Sequence, residues 1–267
     1  NAHTQGHWEK ALEYAAINRE IAERTGALDE LAWPDMVSAQ SLYGRGDLQQ
    51  ALKAAQAALS LAERIGEGRV AVLLGSLLAQ IETDLGHDDA ARAAGELWIK
   101  RSDELGQVFM QCVGRHGLAY FHSQRGEWAQ AAALHDRSAA LYTPTDSRVA
   151  PLWLGPYPAL ARLGLGRVDE AAQQVADYLA LAREAEAPHL MGCANQVQAQ
   201  IFAAQDLRSD AAKAFDESVA TLGRQGSRLE LGRALYQRGL WRRSLEQADA
   251  GRDDLQQAFE LFGVCGA

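Results

Sequence analysis

Residues 126–131 read Gly-Glu-Trp-Ala-Gln-Ala, and hexapeptides of the same pattern return every 40 residues along the chain. Residues 46–51 read Gly-Asp-Leu-Gln-Gln-Ala, and residues 166–171 read Gly-Arg-Val-Asp-Glu-Ala. The copies start at residues 6, 46, 86, 126, 166 and 206, and the period predicts a further start near 246. Self-similarity at a fixed period of this length is typical of repeat proteins.

At two other positions of the 40-residue period the residue type also recurs, and we call each such set of equivalent positions a column. One is rich in glycine and consists of Gly26, Gly66, Gly106, Gly226 and Gly266, with Asp146 and Glu186 in the two remaining places. The other holds small residues throughout: Ala39, Ala79, Ala119, Ala159, Ala199 and Gly239. Because all three columns share one register, we expect a single array of repeats over residues 1–267.

Each repeat is predicted to be a pair of helices. The glycine of the hexapeptide ends one helix, since a left-handed residue without a Cβ atom suits that place. A second helix then runs to the next glycine column, with apolar residues at helical spacing, as between Leu48 and Ala62. The small column lets two helices cross closely. The predicted fold is all-α, a right-handed α-α superhelix (solenoid) of about six and a half helical hairpins that begins with a lone second helix.

Charge and cysteine usage narrow the class of protein. The chain has 35 acidic and 26 basic residues and a net charge of −9, so nucleic-acid binding is not expected. No apolar run is long enough to span a membrane, and we expect no contact of the chain with a membrane. The three cysteines, Cys112, Cys193 and Cys265, lie far apart, which favours packed thiols in a reducing cytoplasm.

Motifs for catalysis or metal binding do not occur in the sequence. The chain has no phosphate-binding loop, nucleophile elbow or metalloprotease helix. His116 and His122 are six residues apart on one predicted helix and therefore face different directions. Paired carboxylates such as Asp88-Asp89 and Asp253-Asp254 are interpreted as favourable charges at helix starts. We expect no catalytic residue, no metal and no cofactor.

The hexapeptides at 126–131 and 166–171 resemble the turn and second-helix start of tetratricopeptide repeats, and the small column matches the family's small first-helix position. The period of 40 exceeds the family's value of about 34, so both helices should be longer. This longer form is similar to the helical-repeat regions of bacterial signalling proteins. Examples are maltose-regulator-like transcription activators of the LuxR type, related STAND-class ATPases, and adenylate cyclases with helical-repeat tails.

In tetratricopeptide arrays the first helices line a concave groove, and the resemblance implies that a ligand binds there. The groove positions it implies are Trp33, Met36, Gln40, Tyr43, Ser76, Gln80, Thr83, His116, Tyr120, Ser123, Trp153, Tyr157, Gln196, Gln200, Arg233, Tyr236 and Gln237. Aromatic, amide and hydroxyl groups of this kind suit an extended peptide or a small polar effector. The phase could be off by one residue, and any single position could instead belong to the core or the plain surface.

One negative prediction concerns chaperone tails. The chaperone-binding tetratricopeptide subfamily clamps a C-terminal carboxylate with Lys and Asn on first helices. Here all four lysines are predicted on second helices, and Asn195 is the only Asn on a first helix. We therefore expect no binding of chaperone tail peptides.

A proline-rich stretch interrupts the pattern in one repeat. Four of the six prolines lie at positions 144, 151, 156 and 158. Since proline breaks or kinks a helix, the first helix of this repeat should be shortened or bent. It could be a hinge, a widened groove, or a kink with no role.

Two functions remain open from the sequence. The first is a protein- or peptide-binding sensor or interaction arm of a bacterial cytoplasmic regulator of signalling or transcription, as the resemblance implies. The alternative is a scaffold that forms homo-oligomers through apolar surface exposed at the array ends. An enzyme is a third, less favoured reading. The lone helix at the start and the missing initiator Met suggest a fragment of a longer protein.

Overall fold

The structure is a computed structural model that describes residues 5–27, 30–141 and 149–267. Fourteen α-helices and no β-strand occur in these ranges, which confirms the predicted all-α fold. The helices are α1 (Trp8–Thr25), α2 (Ala32–Arg45), α3 (Leu48–Ile65), α4 (Gly68–Asp84), α5 (Asp88–Leu105), α6 (Val108–Gln124), α7 (Trp128–Ala139), α8 (Val149–Leu154), α9 (Tyr157–Gly164), α10 (Val168–Glu184), α11 (Pro188–Ala204), α12 (Arg208–Arg224), α13 (Arg228–Ser244) and α14 (Ala248–Cys265).

The helices alternate as the period predicts. Helix α1 is a lone second helix, and the second helices α3, α5, α7, α10, α12 and α14 start 40 residues apart in every step, from Trp8 to Ala248. From α3 to α7 and from α9 to α14, helices adjacent in the chain pack against each other, and the first helices α4 and α6 also touch, an arrangement typical of an α-solenoid. The handedness stays a prediction. None of the described helices is long and apolar enough to cross a bilayer.

The turns between helices explain both glycine columns. A positive φ recurs every 20 residues from Gly6 to Gly266, apart from position 146, which lies outside the described residues. Where glycine is missing, Glu186, Asp206 and Glu246 adopt the same left-handed conformation with φ of 49°, 56° and 62°. Most of these turns close with a backbone hydrogen bond across them, as from the Glu127 N–H to the His122 carbonyl at 2.9 Å. This is the Schellman ending of a helix.

The small column marks the close crossings between helices. The side chains of Ala39, Ala79, Ala119 and Ala199 have no exposed surface. At the last position of the column, a Cβ atom on Gly239 would lie 2.9 Å from the Gly251 carbonyl oxygen. The predicted reason for small residues, a close helix approach, is thereby confirmed.

The proline-rich repeat has an interrupted first helix, as predicted. Helix α8 ends at Leu154, Gly155 takes a φ of 65°, and α9 begins at Tyr157 with Pro156 as its N-cap. Pro144 lies outside the described residues. The chain divides at this break into two compact units, the first mainly His7–Tyr43 with Asp47–Leu154 and the second mainly Gly155–Ala267. A single domain over residues 1–267, and a hinge, both stay predictions.

The first unit has a largely aliphatic core. Helix α4 is buried on almost every side, with Val70, Leu74 and Ile81 fully covered. On the facing helix α5, the Trp98 ring occupies the space beside Gly75. A Cβ atom on Gly75 would lie 2.1 Å from that ring, so the glycine is what allows the tryptophan to pack there.

The last hairpin of the second unit buries charge as well as apolar surface. Asp254 on α14 is only 2% exposed and accepts hydrogen bonds from two arginines of α13. Arg238 reaches it at 2.9 and 2.6 Å and Arg242 at 2.9 Å, and both also approach Asp216 of α12. The interpretation of Asp254 as a helix-start charge is therefore wrong. Helix α14 begins six residues earlier, at Ala248, and Asp254 neutralises buried arginines.

Candidate binding surfaces

The predicted groove residues separate by burial. Met36, Ser76, Thr83, His116, Tyr120 and Ser123 are buried, so they offer a ligand little surface in this structure, as the alternative core interpretation allows. At least partly exposed are Trp33, Gln40, Tyr43, Gln80, Trp153, Tyr157, Gln196, Gln200, Arg233, Tyr236 and Gln237. A close approach of two first helices explains part of this burial, because a Cβ atom on Gly117 of α6 would lie 3.0 Å from the Ser76 carbonyl oxygen of α4.

Residues of three successive first helices meet in one hydrogen-bonded cluster of the first unit. The Tyr120 hydroxyl of α6 donates to Asp84 of α4 at 2.7 Å, and the Tyr43 hydroxyl of α2 donates to the same carboxylate at 2.8 Å. The two hydroxyl oxygens are 3.2 Å apart. Each hydroxyl carries one proton, so both protons point at the carboxylate. We call Tyr43, Asp84 and Tyr120 the phenol–carboxylate cluster.

The two histidines of α6 have separate surroundings, as their spacing predicts. His116 is buried, with its ring centroid 6.4 Å from that of His135. Burial lowers the pKa of His116 to about 4, because an imidazolium would lose its hydration there. His122 instead bonds Glu127 across the turn. No group of three or more His, Cys, Asp and Glu that could hold a metal ion occurs in the described part of the chain.

Glutamines repeat along the first helices with one geometry. The Gln80 side-chain N–H donates to the Ser76 carbonyl at 3.2 Å, and Gln200 donates to the Gln196 carbonyl at 3.3 Å. Such a bond fixes the amide on its own helix and uses one of its two N–H groups. The second N–H and the amide oxygen can then serve a ligand backbone, which carries one donor and one acceptor per residue.

Two tryptophans lie at opposite ends of the first unit's chain. Trp33 packs under the Arg69 guanidinium, 5.6 Å from its ring centroid, and lines an open groove of about 490 Å³ between α1 and α2. Trp153 sits edge-on to Phe109 with ring centroids 6.0 Å apart, and both tryptophans pack against the aliphatic core. Because Trp33 also lines the open groove, it is better placed than Trp153 to contact a ligand.

The second unit offers its own polar surface. Its predicted residues lie on three successive first helices, with α11 in contact with both of the others: Tyr157 on α9, Gln196 and Gln200 on α11, and Arg233, Tyr236 and Gln237 on α13. Arg233 forms an ion pair with Glu230 in which both side chains are mostly buried. The surface is thus a mixture of aromatic and amide groups beside a neutralised charge pair.

Cys193 lies below this surface in a packed environment, as predicted for a small apolar residue. Its thiol is 3.9 Å from His189 Nε2, and His189 Nδ1 is 2.9 Å from the Ser227 hydroxyl. Burial raises the pKa of Cys193 well above its usual value and lowers the pKa of His189 to about 4. Both groups are therefore neutral near pH 7, an unsuitable state for a nucleophilic thiolate.

Two residues of these surfaces were missed by sequence reasoning. Asp84 follows the predicted Thr83 by one position, within the phase uncertainty of the pattern. Glu230 precedes Arg233 by three positions, which is the spacing of facing residues on a helix. In both cases the sequence signal was a charged residue next to a predicted groove residue or one helical turn away from it.

Comparison with known proteins gives no match, either to a protein-family model or to a curated protein sequence.

Proposed function

We propose that this chain is a tetratricopeptide-like module that binds a protein or peptide segment along its first helices and catalyses no reaction. In this proposal it is the sensor or interaction arm of a cytoplasmic signalling or transcription regulator in bacteria, which is what the sequence resemblance implies. A small polar effector is the other ligand class that the surfaces suit. No cofactor and no nucleic acid takes part.

The phenol–carboxylate cluster is the observation that carries the proposal. It joins first helices of three successive hairpins through bonds of 2.7 and 2.8 Å to one carboxylate. Tyr120 is buried and holds the other two side chains in place, while Tyr43 and Asp84 are partly exposed. Side chains that are already held in place lose little entropy when a ligand binds them. Gln80, on the same face of α4 and four residues before Asp84, adds a fixed amide for a ligand backbone.

The test is a selection of displayed random peptides on the whole chain, followed by affinity measurements on matched variants. Gln80→Arg places a long cation on the proposed surface of α4. Gln50→Arg makes the same change on an exposed position of the second helix α3. We expect Gln80→Arg to weaken selected peptides about tenfold or more and Gln50→Arg to leave them unchanged.

The proposal fails if no peptide is enriched, or if Gln50→Arg weakens the peptides as much as Gln80→Arg. Circular dichroism of both variants checks that the helices are intact. Binding of small polar molecules by the wild type, lost in Gln80→Arg, would select the effector over the peptide as the ligand class.

Self-association is a second candidate function, favoured by one stripe on α1. Tyr14, Ile17 and Ile21 are 54%, 45% and 49% exposed and follow the 3–4 spacing of a two-helix seam. The equivalent positions of α3 are Ala54 and Leu61, which are partly exposed, and Ala57, which is exposed but small. In this alternative, α1 pairs with α1 of a second copy.

Sedimentation at several concentrations tests the second candidate. A concentration-dependent dimer should become a monomer in Ile17→Glu. Leu97→Glu is the matched control, since Leu97 occupies the equivalent place on α5 and is 46% exposed. A monomeric wild type, or equal effects of both changes, contradicts self-association through α1.

A further inference from the structure

The second unit holds a histidine and a cysteine side by side near the start of helix α11. His189 and Cys193 are four residues apart, a spacing that puts both on one face of a helix. Their facing atoms, the Nε2 nitrogen of His189 and the sulfur of Cys193, are 3.9 Å apart. We call these two residues the thiol–imidazole pair.

The same spacing in the first unit gives a different arrangement. Cys112 and His116 of α6 are also four residues apart, in the reverse order. The Cys112 thiol faces the Ser138 carbonyl of α7, with sulfur and oxygen 3.6 Å apart. The His116 ring lies beside His135, with ring centroids 6.4 Å apart. The thiol–imidazole pair therefore depends on how its two side chains are directed, and not on spacing alone.

The separation of the two facing atoms suits one metal ion between them. Thiolate sulfur and imidazole nitrogen bind zinc at about 2.3 and 2.0 Å, which sets the scale for such bonds. The two lengths sum to about 4.3 Å. An ion can therefore bridge atoms that are 3.9 Å apart in a bent arrangement with two ligands, without a movement of the helix.

The histidine ring is already oriented for this role. Its other nitrogen, Nδ1, is 2.9 Å from the hydroxyl of Ser227, the N-cap residue of α13. Histidines that bind metal ions in proteins almost always have their second ring nitrogen bonded in this way, because that bond fixes the ring. His189 is partly exposed and Cys193 is 9% exposed, so an ion can reach the pair from solvent.

Net charge decides which ions the pair can hold. Burial lowers the pKa of His189 to about 4, so its imidazole is neutral at pH 7. A monovalent ion with one thiolate and one neutral imidazole forms a complex without net charge, which packed surroundings tolerate. A divalent ion would leave one positive charge there. Structural zinc also takes four ligands, and the described residues contain no group of three or more that could hold a metal ion.

We propose that the thiol–imidazole pair binds one copper(I) ion between the Cys193 sulfur and the Nε2 nitrogen of His189. Thiolates prefer soft ions, and copper(I) is a soft ion with a single charge. The site is separate from the proposed peptide binding and does not depend on it. No metal was expected from the sequence, because its motifs lack the ligand number of a zinc site, whereas a two-ligand site depends on a contact between side chains.

Copper binding replaces the proton of the Cys193 thiol. The S–H bond breaks, a copper–sulfur bond forms, and one proton goes to the solvent. Burial raises the pKa of this thiol well above its usual value, so the copper–sulfur bond must outweigh the cost of releasing the proton. Glu230 and Arg233 of α13 act on the pKa of the thiol in opposite directions. They form an ion pair with each other, so they add no net charge to the complex.

The test is a titration of the whole chain with copper(I) without oxygen, in competition with the coloured chelator bicinchoninate. We expect each chain to take one copper(I) ion from the chelator. Cys193→Ser and His189→Gln should each abolish this binding. Ser227→Ala should weaken it about tenfold, because the imidazole loses the bond that orients it. The affinity should rise about tenfold for each unit of pH, since one proton is released for each ion bound.

Cys112→Ser is the matched control, because its thiol is also buried and also has a histidine four residues away. It should leave the affinity unchanged, and circular dichroism checks that each variant is folded. X-ray absorption of the copper-loaded wild type should show one sulfur and one nitrogen neighbour of copper, a result that needs no variant.

Three results would overturn the inference: no uptake of copper from the chelator, an equal loss of binding in Cys112→Ser or Cys265→Ser, or copper with sulfur neighbours only. The last two would show that copper binds to thiols in general and not to this pair. Peptide selection on the first helices is done without copper, so this inference and the proposed function fail separately.

Discussion

The helices α4–α6 and the hairpin α13–α14 follow the same repeat pattern and bury polar groups in opposite ways. Around α4 the core is aliphatic, and the nearby His116 is buried in its neutral form. In α13–α14 the buried polar group is Asp254, and two arginines neutralise it. The left-handed turns and the small residues at the helix crossings therefore define the hairpin, while the side chains buried within it can be aliphatic in one repeat and charged in another.

Removing the carboxylate from the last hairpin should have the largest effect. In Asp254→Ala, Arg238 and Arg242 keep only the exposed Asp216 as an acidic partner. Removing one partner of a buried ion pair lowers the free energy of unfolding by about 3 kcal/mol, because the other charge stays buried without compensation. Urea unfolding followed by circular dichroism measures the loss. Asp216→Ala is the control, with an expected loss below about 1 kcal/mol because Asp216 is mostly exposed. Equal losses of unfolding free energy in the two variants would show that the buried Asp254 stabilises the hairpin no more than the exposed Asp216 does.

The aliphatic core can be overpacked at one glycine. Gly75→Ala brings a methyl group against the Trp98 ring, which is 4% exposed and has little room to move. We expect a loss of about 2–3 kcal/mol despite the better helix propensity of alanine. Gly68→Ala on the same helix meets only Leu105, at 3.6 Å, and should not destabilise. A stable Gly75→Ala variant in the urea experiment would contradict the packing described here.

Lowering the pH should destabilise the first unit, because His116 is buried in its neutral form. Its pKa is about 4 in the folded chain and about 6.5 when unfolded. Between these values only the unfolded chain binds the proton, so stability falls as the pH drops from 6.5 towards 4, by about 2 kcal/mol at pH 5. His116→Phe should reduce this pH dependence, while His189 keeps its own share. Unchanged slopes of unfolding free energy against pH would exclude the buried neutral state.

The smallest expected effect concerns a turn without glycine. Glu186 has a φ of 49°, a conformation that costs a residue with a Cβ atom about 1 kcal/mol. Glu186→Gly should therefore stabilise the chain by about 0.5–1 kcal/mol. Glu184→Gly, at the last residue of α10 where φ is not positive, relieves no strain and should not stabilise the chain. Thermal melts that rank the two variants in the reverse order would contradict the turn assignment.

Much of the backbone was predictable because its signals are local and repeated. The starts of the second helices, the left-handed turns and the break near Pro156 each follow from residue type and spacing. The cluster of Asp84 with Tyr43 and Tyr120 was not, since it depends on how three helices sit side by side. The fit of Trp98 to Gly75 is likewise a contact between two helices that no single column reveals.

The most direct test of binding along the first helices is photo-crosslinking of a selected peptide. Benzoylphenylalanine is placed singly at Gln80 and Gln200 on first helices, and at Gln50 and Gln173, which are exposed on second helices. Crosslinked peptide is then quantified by mass spectrometry. We predict crosslinks from the first-helix positions and only background from the others. Equal or stronger crosslinking from Gln50 and Gln173 would contradict the claim that the first helices form the binding surface.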